Sequence, residues 1–308
     1  MQRTWRIIRD IVQAQRWRFV ARRFAVVAFV AAGASAWVRA QSSPAPIARE
    51  TYADVPGVHL WYRDTGGRGT PVVLLHAATG SSRAWEYQIP ALTMAGYRVV
   101  AYDRRGWGRS VADPGGAQPG TAADDLRALM RHLGIDRFHL VGTAAGGFVA
   151  LDYALSFPEQ VRSLVVASSI GGVQDDEYLA LGRRLRPSPQ FEALPPEFRE
   201  IGPSYRAANP EGTRRWIELE RMSRPEGPPA PAQPMRNRVT FALLETIAVP
   251  TLLLTGDADL YAPPPVMQLF KARIRDAESV VVPEAGHSPY WEQPEIFNRA
   301  LISFFSKH

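Results

Sequence analysis

Six short apolar runs punctuate the chain, and each is followed by a polar stretch that contains glycine. They are 71–76 (PVVLLH), 97–102 (YRVVAY), 138–141 (FHLV), 162–169 (RSLVVASS), 251–255 (TLLLT) and 279–282 (SVVV). Apolar runs without alternation predict strands buried on both faces, as in a parallel sheet with helices on either side. Ahead of them, 54–66 (DVPGVHLWYRDTG) alternates around a glycine turn and predicts two short antiparallel strands, with His59 a strand residue. A helix capped by Thr121 carries the stripe Leu126, Leu129, Met130 and Leu133 and ends at Gly134, leaving His132 solvated. A last helix over 294–305 turns Ile296, Phe297, Leu301 and Phe304 to the sheet.

The stretch 170–240 has a different character. It is rich in Arg, Glu and Pro, shows helical patterns over 177–186, 195–206 and 211–222, and ends in the cluster PEGPPAPAQP. The prediction is an α/β fold: a mostly parallel, doubly wound sheet built from 41–169 and 241–308, with a helical insertion over 170–240. A length of 308 residues suits such a core with an insertion.

Charge changes the picture only when it is located. The formal net charge is +6, yet residues 1–40 hold eight Arg against one Asp, leaving 28 basic and 29 acidic residues for the remainder. The body is therefore not basic, which removes the support for a nucleic-acid partner. The first forty residues read as a leader: a basic region, then the apolar run 24–38 (FAVVAFVAAGASAWV), then small-x-Ala sites at 34–36 and 38–40. The run is short for a spanning helix, so the expectation is export to the periplasm or beyond, or a membrane contact made through residues 1–40 by an uncleaved leader. Cysteine is absent and the six His are dispersed, which leaves no thiolate site and no paired-histidine metal motif. There is no phosphate-binding loop or dinucleotide fingerprint, so no cofactor is expected, and nothing in the sequence speaks to oligomeric state.

Candidate chemistry lies in the loops after the apolar runs. The strand at 138–141 leads into Gly142-Thr143-Ala144-Ala145-Gly146, a G-x-x-x-G turn opening a helix. After 71–76 comes HAATGSS; after 97–102 comes DRRGWGRS; after 251–255 comes GDADLYAPP; after 279–282 comes EAGHSPYWEQPEIF. Taken in chain order, the five segments resemble the oxyanion loop, the D-x-R-G-x-G-x-S turn, the nucleophile elbow, the acid loop and the histidine loop of the α/β-hydrolase family, from about Asp54 to the C-terminus. Capped esterases, lactonases and hydrolases of carbon–carbon bonds are the most similar members.

The resemblance implies particular roles. It places the catalytic base at His287 and its acid at Asp259, with Asp257 the weaker candidate. It assigns oxyanion-hole N–H groups to Ala145 and to Ala77 or Ala78, makes His76 a structural hydrogen bonder, and makes 170–240 a helical cap. Trp85 is expected to begin a helix at the pocket rim, where it would touch substrate. The departure is at Ala144, where the family carries its serine: an acyl-enzyme on that residue is excluded. Thr143 should point away from the pocket, and Ser168 and Ser169 lie outside the turn.

Two readings follow. In one, His287 and Asp259 activate water or an acidic proton of a small activated carbonyl compound (an ester, a lactone or a β-dicarbonyl), making a hydrolase or a lyase-type proton-transfer enzyme without cofactor. In the other, the pocket persists without chemistry, as a ligand-binding or sensor protein.

Overall fold

A computed structural model describes residues 49–112, 120–185, 189–224 and 233–308. The leader expected over 1–40 lies outside these residues. No described helix is long and apolar enough to cross a membrane.

The chain opens with a hairpin of β1 (Arg49–Val55) and β2 (Val58–Asp64), then runs through β3 (Pro71–Leu75), α1 (Gln88–Met94), β4 (Arg98–Tyr102), the two-residue β5 (Val111–Ala112), α2 (Ala122–His132), β6 (Phe138–Thr143), α3 (Ala145–Ser156) and β7 (Val161–Ala167). The insertion follows with α4 (Asp176–Leu185), α5 (Pro189–Ala193), α6 (Pro196–Glu200), α7 (Pro203–Ala208) and α8 (Pro210–Ser223). A short α9 (Phe241–Leu244) returns to β8 (Thr251–Gly256), α10 (Pro264–Lys271), β9 (Glu278–Val282), α11 (Pro289–Glu292) and α12 (Pro294–Phe305). The sheet order is β1-β2-β4-β3-β6-β7-β8-β9, with β5 on β2. Pairing is antiparallel at the β1 and β2 end and parallel from β4 to β9.

Both faces of the sheet are buried, which accounts for the unbroken apolar runs. Val73, Leu75, Leu140, Leu164, Val166 and Leu253 face a core shared with α2, α3 and α10. Their neighbours Val72, Leu74, Val141, Val165, Leu252 and Leu254 face a second core with α1 and α12, to which Trp216 and Leu219 of the insertion also belong. The insertion is thus part of the core packing. Thr121 and Asp124 cap α2 reciprocally, and Gly134 leaves it at a φ of 64°, both as expected from sequence.

Two expectations needed adjustment. The helix expected over 195–206 is two helices, because Gly202 is extended (φ −61°, ψ 149°) and Pro203 has no N–H with which to continue the first. The first strand begins at Arg49 rather than near Asp54. It is an edge strand that buries only Ala53, so its sequence carries little periodicity.

Close packing fixes the turn between β6 and α3. A Cβ on Gly146 would lie 2.2 Å from the Leu75 carbonyl oxygen, and one on Gly142 would lie 2.3 Å from that of Gly146. The contact atoms are backbone, so they yield only by moving strands. Gly146→Ala is expected to lose about 1–3 kcal/mol of stability by overpacking, read by urea denaturation; an unchanged midpoint would refute the packing argument.

Candidate active site

The carboxyl ends of the parallel strands share one edge, where sheets of this kind place their ligands. Ala144, between β6 and α3, has φ 49° and ψ −116°. Such a backbone is strained for a residue with a Cβ, by about 1–3 kcal/mol. It is held by Ala144 N–H donating to the Ala167 carbonyl (2.9 Å), by Gly147 N–H donating to the Ala144 carbonyl (3.0 Å), and by the Ser169 hydroxyl donating to that same carbonyl (2.7 Å). Ser169 is therefore committed to the turn. Thr143 and Ser168 are buried, and neither hydroxyl has a hydrogen-bond partner among the described residues.

His287 and Asp259 meet. The imidazole Nδ1 is 2.8 and 3.0 Å from the two carboxylate oxygens. Asp259 also accepts N–H groups from Tyr261 (2.8 Å) and Ala262 (2.9 Å) and the Thr255 hydroxyl (3.2 Å). Burial alone would raise the Asp259 pKa; the adjacent imidazolium and these donors overcome it and hold the carboxyl below its ordinary range. For His287, burial disfavours the cation, but the carboxylates of Asp259, Glu200 and Glu292 outweigh it and push the pKa up to about 9. The ring is an imidazolium at neutral pH. Asp257 is exposed and outside this pair.

His76 takes the structural place expected of it. It is wholly buried; Nε2 accepts the Arg104 N–H (2.9 Å), which leaves Nδ1 to donate to the Ala77 carbonyl (2.6 Å). Burial, and then the Arg104 charge, hold it well below its ordinary pKa. The N–H groups of Ala77 and Ala78 donate to no backbone acceptor among the described residues, and Ala145 supplies one of the unpaired N–H groups of the first turn of α3. Trp85 differs from expectation: it is 0% exposed, ends a short 3₁₀ turn (Ser82–Trp85), and packs 5.0 Å from Tyr290 in the second core. A ring so enclosed does not line the pocket.

A largely apolar cavity of about 320 Å³ is walled by Phe148 of α3, Ile170, Val173, Tyr178 and Tyr261. Tyr261 packs against the His287 ring in a tilted arrangement, centroids 4.6 Å apart, and so links the cavity wall to the imidazole.

Sequence reasoning missed two carboxyls. Glu292 stands in the histidine loop's own motif. It accepts N–H groups from Gly286 (2.9 Å), Ser288 (3.2 Å) and, from the insertion, Gly202 (2.7 Å), and so clamps the insertion onto the histidine loop. Burial raises its pKa to about 7 against the pull of those donors. Glu200 is 7% exposed and comes from the insertion, where no motif announced it; its main-chain carbonyl accepts the His287 N–H at 2.8 Å.

A doubly wound sheet with a histidine–carboxylate pair after its last two strands and a strained turn at its centre defines a protein of the hydrolase class. The chain belongs to the alpha/beta hydrolase family, whose sequence pattern matches residues 72–300. A 2-hydroxy-6-oxononadienedioate/2-hydroxy-6-oxononatrienedioate hydrolase of Paraburkholderia phymatum is 30% identical over 264 residues, spanning 81% of this chain and 92% of that protein. A thermophilic esterase from Thermogutta terrifontis, solved with malate bound, is 31% identical with a TM-score of 0.69, covering 84% of this chain and 97% of that one. A bromoperoxidase from Bacillus anthracis shares the fold at 24% identity, with a TM-score of 0.62 over 81% of this chain and 96% of that one.

The charge balance has a consequence for stability. Between an ordinary pKa of 6.5 and about 9, the folded protein holds a proton on His287 that the unfolded chain releases, so this contribution is complete below 6.5 and disappears as pH rises through 9. Glu292, raised from 4.5 to about 7, tilts the curve the same way over its own window. The melting temperature is expected to fall from pH 5 to pH 9.5, each group contributing on the order of 3 kcal/mol. His287→Gln should flatten the part above pH 6.5; a wild-type curve that rises there would contradict the ion pair.

Proposed function

We propose that the protein hydrolyses a small activated carbonyl compound, an ester, lactone or β-dicarbonyl, by direct attack of water, with no acyl-enzyme. The observation that carries this reading is the completeness of the support around His287. Asp259 is gripped by two N–H groups and a hydroxyl, and the imidazole is fixed by two carboxylate contacts. A pocket that only bound ligand would have no use for so ordered a proton relay.

On this reading neutral His287 takes a proton from water at Nε2 as the water oxygen bonds to the substrate carbonyl carbon. The carbonyl becomes an oxyanion, held by the N–H of Ala145 and that of Ala77 or Ala78. Collapse expels the leaving oxygen or carbon, which takes the proton from the imidazolium. The Ala144 methyl leaves water the place that a serine hydroxyl would fill. Because the imidazole is protonated at pH 7, the rate is limited by its neutral fraction and rises about tenfold per pH unit until pH approaches about 9.

The test is hydrolysis of 4-nitrophenyl acetate by the natural chain, Ala144→Ser and His287→Ala. The natural chain should turn over slowly, without a burst and with the alkaline limb just described. Ala144→Ser should show a burst and gain on the order of 10² or more in rate, a fraction of the roughly 10⁶ a serine contributes to an intact triad. His287→Ala should abolish both activities. Turnover unaffected by His287→Ala would sink the mechanism. Saturable binding of ligands without turnover, in all three proteins, would instead establish a binding pocket.

A further inference from the structure

Glu200 brings a carboxyl from the insertion to the reaction centre. It is fixed between the two loops that bound that centre: its main-chain oxygen accepts the His287 N–H (2.8 Å), and its Oε2 accepts the hydroxyl of Thr79 (3.3 Å), next to Ala78 in the oxyanion loop. A Cβ on Gly286 would lie 2.5 Å from the Gly202 nitrogen, which shows how tightly the segment after Glu200 is pressed onto the histidine loop. The carboxyl adds only its long contact to Thr79 to the clamping. The rest belongs to the Glu200 carbonyl and to Glu292.

The carboxyl is poorly satisfied for its burial. Its one hydrogen bond is the long contact to Thr79, and Oε1 accepts none from the described residues. Adjacent Arg199 does not neutralise it, because Nη1 of Arg199 goes to Glu192 (3.0 Å) and the Tyr261 hydroxyl (3.1 Å). The charged and titratable groups that act on it are His287, Asp259 and Arg199; burial and the Asp259 charge raise its pKa against the pull of the imidazolium. An acceptor with spare lone pairs beside the reaction centre suits a donor. A carboxylate placed directly beside that of Glu200 is repelled.

We propose that Glu200 selects the substrate: its carboxyl accepts a hydrogen bond from a hydroxyl or amine group borne close to the reacting carbonyl, and disfavours compounds that carry a carboxylate at that point. This rests on the pocket taking a small carbonyl compound, and it names the class.

The test uses Ala144→Ser as the parent, with methanol release followed by NMR. Methyl 3-hydroxybutanoate is compared with its isostere methyl 3-methylbutanoate, methyl lactate with methyl 2-methylpropanoate, and monomethyl succinate supplies the carboxylate. At least one hydroxy ester should exceed its isostere about tenfold in kcat/KM, with monomethyl succinate slowest. Adding Glu200→Met should erase the hydroxy preference. Adding Glu200→Gln, which keeps an acceptor and removes the charge, should retain most of that preference and improve monomethyl succinate about tenfold relative to the isosteres. Ratios unchanged within twofold in both variants overturn the proposal. If the serine parent cleaves none of the esters, the hydrolase reading fails separately. Glu200 is then judged on the natural chain by saturation-transfer NMR with 3-hydroxybutanamide against 3-methylbutanamide. Selective binding of the hydroxy amide, lost in Glu200→Met, supports the role; equal binding or none overturns it.

Discussion

The strained turn at Ala144 is the constraint on which the rest of this structure depends. A residue with a Cβ is held at a φ of 49° because β3, β6, β7 and α3 leave it no other path. Gly142 and Gly146 let the helix start against the Leu75 carbonyl, and Ser169 ties the Ala144 carbonyl from the neighbouring loop. Such strain persists only where its surroundings over-determine it. The result is that the first turn of α3 presents an unpaired Ala145 N–H at the edge where the histidine loop also ends. The same turn would serve a serine; with alanine it still leaves that donor unpaired.

Around that turn the protein arranges three buried carboxyls and one imidazole, and their different partners give them different work. Asp259 is saturated with donors and remains charged. Glu292 is saturated with backbone N–H groups but sits near neutrality, serving as the clamp between insertion and core. Glu200 alone is undersupplied. The carboxyl group in three environments thus yields an ion-pair partner, a fastener and an acceptor with free lone pairs, by the balance of desolvation against hydrogen bonding.

The core was legible in the sequence because its physics is local. Strands buried on both faces must be apolar throughout, and each parallel strand must hand on to a loop, so the runs at 71–76, 138–141, 162–169 and 251–255 announced both the sheet and the edge at which its loops gather. The pairing of His287 with Asp259 was legible only as motif order, since 28 residues separate them in sequence and the sheet alone makes them neighbours. Trp85 was misplaced because an aromatic near a glycine-rich loop reads the same whether it lines a cavity or fills a core. Glu200 was illegible. An acidic residue in an Arg- and Glu-rich insertion resembles its solvated neighbours until tertiary packing buries it against the histidine loop.

The carboxylates raise the histidine pKa, and the missing hydroxyl leaves the resulting Nε2–H without a partner. A serine would accept the Nε2 proton or surrender its own to the neutral ring, giving the imidazole a fixed partner at the apex; Ala144 gives none, and no described residue hydrogen-bonds Nε2. With Asp259 behind the ring and Glu200 in the same pocket, the protonated form is the stable one at pH 7. The centre then offers donors, the Nε2–H and the loop N–H groups, with Glu200 the acceptor. A carbonyl oxygen gathering negative charge suits those donors, and a neighbouring hydroxyl or amine suits Glu200. Such a centre discriminates by hydrogen-bond polarity along the substrate.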